Sequence, residues 1–154
     1  MSVYAGQSFT FSRNGHTFRA DITECGTGAP WEQCDGNLNV TRVDHDYKKR
    51  PSEVFLYKGD RREWSYVYDL REAIDTAVRD GRGPSIEGET KRQTAVRAVN
   101  ENAKFLRGWC TNEWTYVCVG VTMVDSDGEA VSDTEYLGGC ESYGDYVETD
   151  IVHA

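Results

Sequence analysis

The sequence predicts an α+β fold: an antiparallel sheet built from hairpins, two central helices and a short C-terminal helix, in one domain over residues 1–154. Three observations predict it. Apolar and polar residues alternate through N-terminal segments parted by tight-turn pairs, the apolar period lengthens to that of a helix between residues 70 and 107, and alternation returns from Trp114. Strands grouped in runs, with the helices together between them, make the α+β pattern.

In chain order, Phe9–Arg13 and His16–Ile22 alternate around Asn14-Gly15. Asn-Gly favours a type I′ turn because both central residues need positive φ, so a hairpin is expected with Phe9, Phe11, Phe18, Ala20 and Ile22 on one face. Residues 23–37 are rich in turn formers and read as a loop, and 38–43 as a short strand. After a polar connection at 44–51, residues 53–57 and 63–68 form a second hairpin around Lys58-Gly59-Asp60. Leu70, Ala73, Ile74, Ala77 and Val78 fall on one helical face. Asp69 caps that helix with Glu72 as reciprocal partner, and Gly81 supplies a left-handed stop. A second helix is expected from Glu89 to Arg107, with Val96, Val99, Ala103 and Leu106 inward, Lys91, Arg92, Arg97, Lys104 and Arg107 outward, and Gly108 ending it. Trp114–Val124 is apolar on both faces, as in a covered central strand. Asp127-Gly128 turns the chain, residues 130–137 return, Gly138-Gly139 breaks the strand, and Tyr143, Tyr146, Val147 and Ile151 have helical spacing.

A chain of 154 residues can bury a core of its own, and 12% aromatic residues argue against disorder. The first residues lack a basic start and apolar core, and no run approaches the roughly 18 apolar residues of a membrane span. A cytoplasmic protein with reduced thiols at Cys25, Cys34, Cys110, Cys118 and Cys140 is therefore expected. The net charge of −9 is the property of the last third, since no Lys or Arg follows Arg107 but ten carboxylates do. Such a balance disfavours nucleic acid, whose binding requires neutralised phosphates, and suits either a basic partner or plain solvation.

The motifs of chemistry weigh against an enzyme. There is no Gly-x-Ser-x-Gly elbow, 81–88 lacks the Lys-Ser/Thr end of a phosphate loop, and none of His16, His45 and His153 is placed to pair with a nucleophile. No metal or other cofactor is expected. Cys25 and Cys34 are nine apart, unlike closely spaced zinc pairs, and Gly128 falls at the wrong position after Asp125 for a twelve-residue calcium loop. Lys48-Lys49-Arg50, Lys58, Arg61 and Arg62 lie among Tyr47, Phe55, Tyr57 and Trp64 as in single-strand binders, but Asp44, Asp46, Glu53, Asp60 and Glu63 interrupt them.

Asp69-Leu-x-x-Ala73, the Arg79-Asp-Gly81 end, FLRGW (105–109), NEW-x-Y (112–116), the Asp-Gly turn and YLGG-x-ES-x-x-DY (136–146) together resemble small, uncharacterised acidic proteins of phages and prophages over 69–147. Gly138 stands where that pattern often has Trp. The resemblance implies a phage accessory protein, and such proteins often inhibit host machinery by binding alone.

Joined to the charge break, this gives the leading expectation: an inhibitor of a host defence nuclease, of anti-CRISPR or anti-restriction type, with a DNA-mimicking acidic surface. Its candidate binding residues are Asp125, Asp127, Glu129, Asp133, Glu135, Glu141, Asp145 and Glu148. Its partner is a basic host protein, with no direct nucleic acid and no membrane. The alternative is a phage structural, assembly or adaptor protein, able to form a homo-oligomer, with Trp31, Trp64, Trp109 and Trp114 as interface anchors.

Overall fold

The computed structural model describes residues 3–26, 28–33, 39–81, 83 and 85–142. Its elements run β1 (Ser8–Arg13), β2 (His16–Glu24), α1 (Pro30–Gln33), β3 (Val40–Val43), β4 (Glu53–Tyr57), β5 (Ser65–Asp69), α2 (Leu70–Asp80), α3 (Lys91–Cys110), β6 (Tyr116–Val124) and β7 (Glu135–Glu141). The fold is α+β, with its strands in two antiparallel sheets rather than one. The chain forms two compact units, residues 1–27 with 113–154, and residues 28–112.

The first unit holds the sheet β1-β2-β6-β7. Its first hairpin turns at Asn14 and Gly15 with φ of 53° and 78°, the left-handed pair that Asn-Gly encodes. The register sets Phe9 opposite Ala20 and Phe11 opposite Phe18, and β2 then pairs with β6 so that Ile22 faces Val119 and Ala20 faces Val121. One face of the sheet is thus apolar, and Ala20, Ile22, Val117, Val119 and Cys140 are buried there with Val3. The opposite face carries Thr10, Arg19, Asp21, Cys118, Gly120 and Thr122, with Thr122 buried and its hydroxyl 2.7 Å from that of Thr134. Gly-Gly does not end β7. The strand starts at Glu135, later than expected, and passes through Gly138 and Gly139 to Glu141. Val117 and Val119 pair with Cys140 and Leu137, so β7 holds one extra residue, and Gly139 absorbs this bulge at φ 69°. The C-terminal helix expected from residue 143 onward lies outside the described residues.

The second unit packs α2 and α3 on the sheet β3-β5-β4. Leu56, Tyr68, Ala73, Ala77, Ala95, Val99, Ala103 and Leu106 form its core. Asp69 caps α2 by accepting the Glu72 N–H at 3.1 Å, but the reciprocal bond is not made: the Asp69 N–H donates to the Asn39 carbonyl at 3.1 Å instead. Gly81 stops α2 at φ 67°, as expected. The second helix begins two residues later than Glu89, behind a capping box in which Thr90 and Gln93 satisfy each other's backbone N–H. It also runs past Gly108, which is buried inside the last turn; Asn112, at φ 60°, takes the left-handed position. Ala95, rather than half-buried Val96, fills the inner position at the start of α3. The expected loop at 23–37 contains the helical turn α1, where Trp31 packs 4.9 Å from Tyr66 and 5.3 Å from Trp109.

Candidate protein-binding surface

The carboxylates of the last third do not share one place. Asp125, Asp127, Glu129 and Asp133 lie in the connection from β6 to β7 and Glu135 opens β7; all five are exposed, at one end of the first unit's sheet. Glu141 is opposite Tyr116 at the other end of β7, about 20 Å away along an extended strand. It is half-buried, and that burial raises its pKa. Asp145 and Glu148 lie outside the described residues.

The connection is ordered from within. The Asp125 carboxylate accepts the N–H groups of Asp127 and Glu129, each at 2.9 Å. Its backbone N–H donates to the Glu129 carbonyl at 2.9 Å, and Gly128, at φ 81°, donates its N–H to the Asp125 carbonyl at 3.1 Å. Asp125 is therefore a turn-forming carboxylate with its acceptor oxygen turned onto its own loop, the side-chain turn that Asp favours. Asp127, Glu129, Asp133 and Glu135 have no such duty. None of the five forms an ion pair among the described residues.

Three basic side chains stand at the same end of the sheet. Thr17 pairs with Val124, which brings the turn between Arg13 and His16 beside the acidic connection. Arg19 reaches the Gly128 carbonyl at 3.4 Å, but its ion pair is with Asp21 at 3.1 Å. Asp21 has its pKa lowered by the Ser8 hydroxyl first and by Arg19 after that. Carboxylates therefore outnumber the basic side chains there, and the local field stays negative.

Apolar side chains accompany the charges. Val131, Tyr136 and Leu137 are 56%, 74% and 46% exposed, and Tyr136 lies across Gly120, where an added Cβ would meet its ring at 3.0 Å. Composition alone pointed to the tryptophans as anchors, but Trp114 is 5% exposed, and Trp31 and Trp109 pack on each other. Trp64 is exposed, beneath the Arg42 guanidinium at 4.4 Å.

The cations of the second unit are partly committed. Arg97 pairs with Glu89 at 3.0 Å and Glu101 at 3.8 Å, and Arg107 donates to the Phe55 carbonyl. In the basic–aromatic stretch, Tyr47 and Arg50 both bond the buried Glu53, and the Tyr57 hydroxyl bonds Glu63. Those groups serve the fold before any ligand.

Among the described residues no three of His, Cys, Asp and Glu are placed to share a metal ion, and no helix is long and apolar enough to cross a membrane. Compared with protein-family models, curated proteins and solved structures, the chain matches none.

Proposed function

We propose that this chain is a non-enzymatic, phage-type accessory protein that inhibits a host defence nuclease, of anti-CRISPR or anti-restriction type, in the host cytoplasm. It binds the nuclease, or another basic nucleic-acid-handling complex, through an acidic surface that substitutes for DNA, with no cofactor, membrane or nucleic acid of its own. The observation that carries this is the connection from Asp125 to Glu135: five exposed carboxylates without ionic partners, with Val131, Tyr136 and Leu137 beside them. Unpaired carboxylates steer a Lys/Arg-lined groove toward the protein, and an exposed aromatic with aliphatic neighbours supplies the desolvated contact that charges alone do not.

The test is a four-fold charge reversal at Asp127, Glu129, Asp133 and Glu135 to Lys, leaving the turn-forming Asp125 in place. The variant keeps its circular dichroism spectrum and loses nuclease inhibition. Undiminished inhibition by a folded variant would overturn the mimic mechanism.

An assembly or adaptor role is favoured by a different feature, the edge position of β7 with Tyr136 and Leu137 exposed on it. Sedimentation separates the two readings, since a stable homo-oligomer held through β7 belongs to assembly.

A further inference from the structure

We propose that Cys25 and Cys118 are an oxidisable dithiol, closed to a disulfide by thiol–disulfide exchange with a small disulfide of the glutathione class and reopened by dithiols. Neither cysteine is part of a disulfide, and their sulfurs lie 2.7 Å apart. That is within about 0.7 Å of the ~2.05 Å disulfide bond length, so closure requires only a small shift.

The ladder explains how they meet. Thr23 pairs with Cys118, so Cys25 is its diagonal neighbour on the same face of the sheet. Diagonal residues within a regular ladder are about 7 Å apart, too far for a disulfide. Cys25, however, follows the last residue of β2, Glu24, so the ladder does not hold its backbone, and its sulfur reaches that of Cys118. On the other side, the β7 bulge brings the Gly139 N–H to 3.3 Å from the Cys25 sulfur. The glycine before it leaves the pair uncovered: a Cβ on Gly138 would sit 3.6 Å from the Cys118 sulfur and 3.8 Å from that of Cys25. Both cysteines are partly exposed. The bulge that interrupts β7 thus donates a hydrogen bond to one sulfur and keeps both open to a reagent.

These positions assign the order of attack. Cys25, whose sulfur accepts from both the Cys118 S–H and the Gly139 N–H, attacks one sulfur of the external disulfide, breaking its S–S bond and releasing one small thiolate. Cys118 then attacks the Cys25 sulfur of the mixed disulfide and expels the second small thiolate. The protein yields two electrons and its two thiol protons, and the external disulfide becomes two thiols. The hydrogen bond with Cys25 raises the Cys118 thiol first, then burial, while the Gly139 amide acts in the opposite sense. The new bond would close a covalent loop that contains all of residues 28–112. Loops of such length restrict the unfolded chain most.

The experiment uses the full chain, incubated with oxidised glutathione natively and in urea, alkylated, and cut at aromatic residues so that Cys110, Cys118 and Cys140 fall in separate peptides. The expected result is a linked Cys25–Cys118 peptide, formed at least about ten-fold faster in the native chain, abolished by dithiothreitol, and accompanied by a rise of about 10 °C in the thermal midpoint. Cys118→Ser should stop at a glutathione adduct on Cys25. Free alkylation of both cysteines after native oxidation would overturn the proposal. Equal linkage rates in native protein and urea, or pairing of Cys25 with a different cysteine, would overturn it as well.

Discussion

Asp125 separates a carboxylate that builds the acidic connection from those that only display charge. Its side chain accepts two backbone N–H bonds at 2.9 Å, from Asp127 and Glu129. Hydrogen bonds to charged groups contribute about 1.5–3 kcal/mol each, and at an exposed turn open to water each falls to roughly 0.5–1 kcal/mol. Asp125→Ala should therefore destabilise the first unit by about 1–2 kcal/mol, or roughly 4–15 °C in its midpoint. Asp125→Asn keeps the accepting oxygen and should lose less than about half of that, since only the charge assistance disappears. Urea unfolding followed by the fluorescence of Trp114, which is buried in that unit, gives the two energies. Hydrogen exchange at the Asp127 and Glu129 amides gives the local effect: fast in the Ala variant, protected in the Asn variant. If Ala and Asn unfold alike and both amides stay protected, the carboxylate does not organise the turn.

Two further outcomes follow from the second unit. Gly59→Ala would place a Cβ 2.7 Å from the Trp64 carbonyl oxygen and 2.8 Å from the Glu63 Cβ, and so should cost about 2 kcal/mol in urea unfolding; an unchanged midpoint would contradict the close packing of the β4–β5 turn. Burial pushes the Cys110 thiol from 9.0 up to about 11, so the folded state holds that proton more tightly than the unfolded one. Its contribution is intact below about pH 9 and lost as pH rises toward 11, and between those values the wild type should lose more stability than Cys110→Ala. Parallel pH profiles of the two proteins would contradict the burial.

Local chemistry was readable where a few neighbouring residues decide the outcome. Asn14-Gly15 and the Asp69 cap with Gly81 are of this kind, because φ preferences and caps act within one turn of chain. Gly108 and Gly138-Gly139 misled for one physical reason. A glycine permits a break without imposing it: burial carries α3 through Gly108, and the β6 ladder carries β7 through its bulge. Two sheets could not be told from one, since alternation marks the face of a strand but not its partner, and β2 finds β6 across all of the second unit. The charge break was plain in the sequence. Which acids share a place was not, because Glu135 and Glu141 are six residues apart and only the strand between them sets them at opposite ends of the sheet.

Competition tests the central claim most directly. A labelled target DNA is bound to the nuclease, and this chain is titrated in at low and at high salt. The account predicts mutually exclusive binding, with an affinity that falls steeply as salt rises and a total loss of displacement in the Asp127, Glu129, Asp133 and Glu135 to Lys variant. A ternary complex holding both DNA and protein, or displacement that salt and charge reversal leave unchanged, would contradict it.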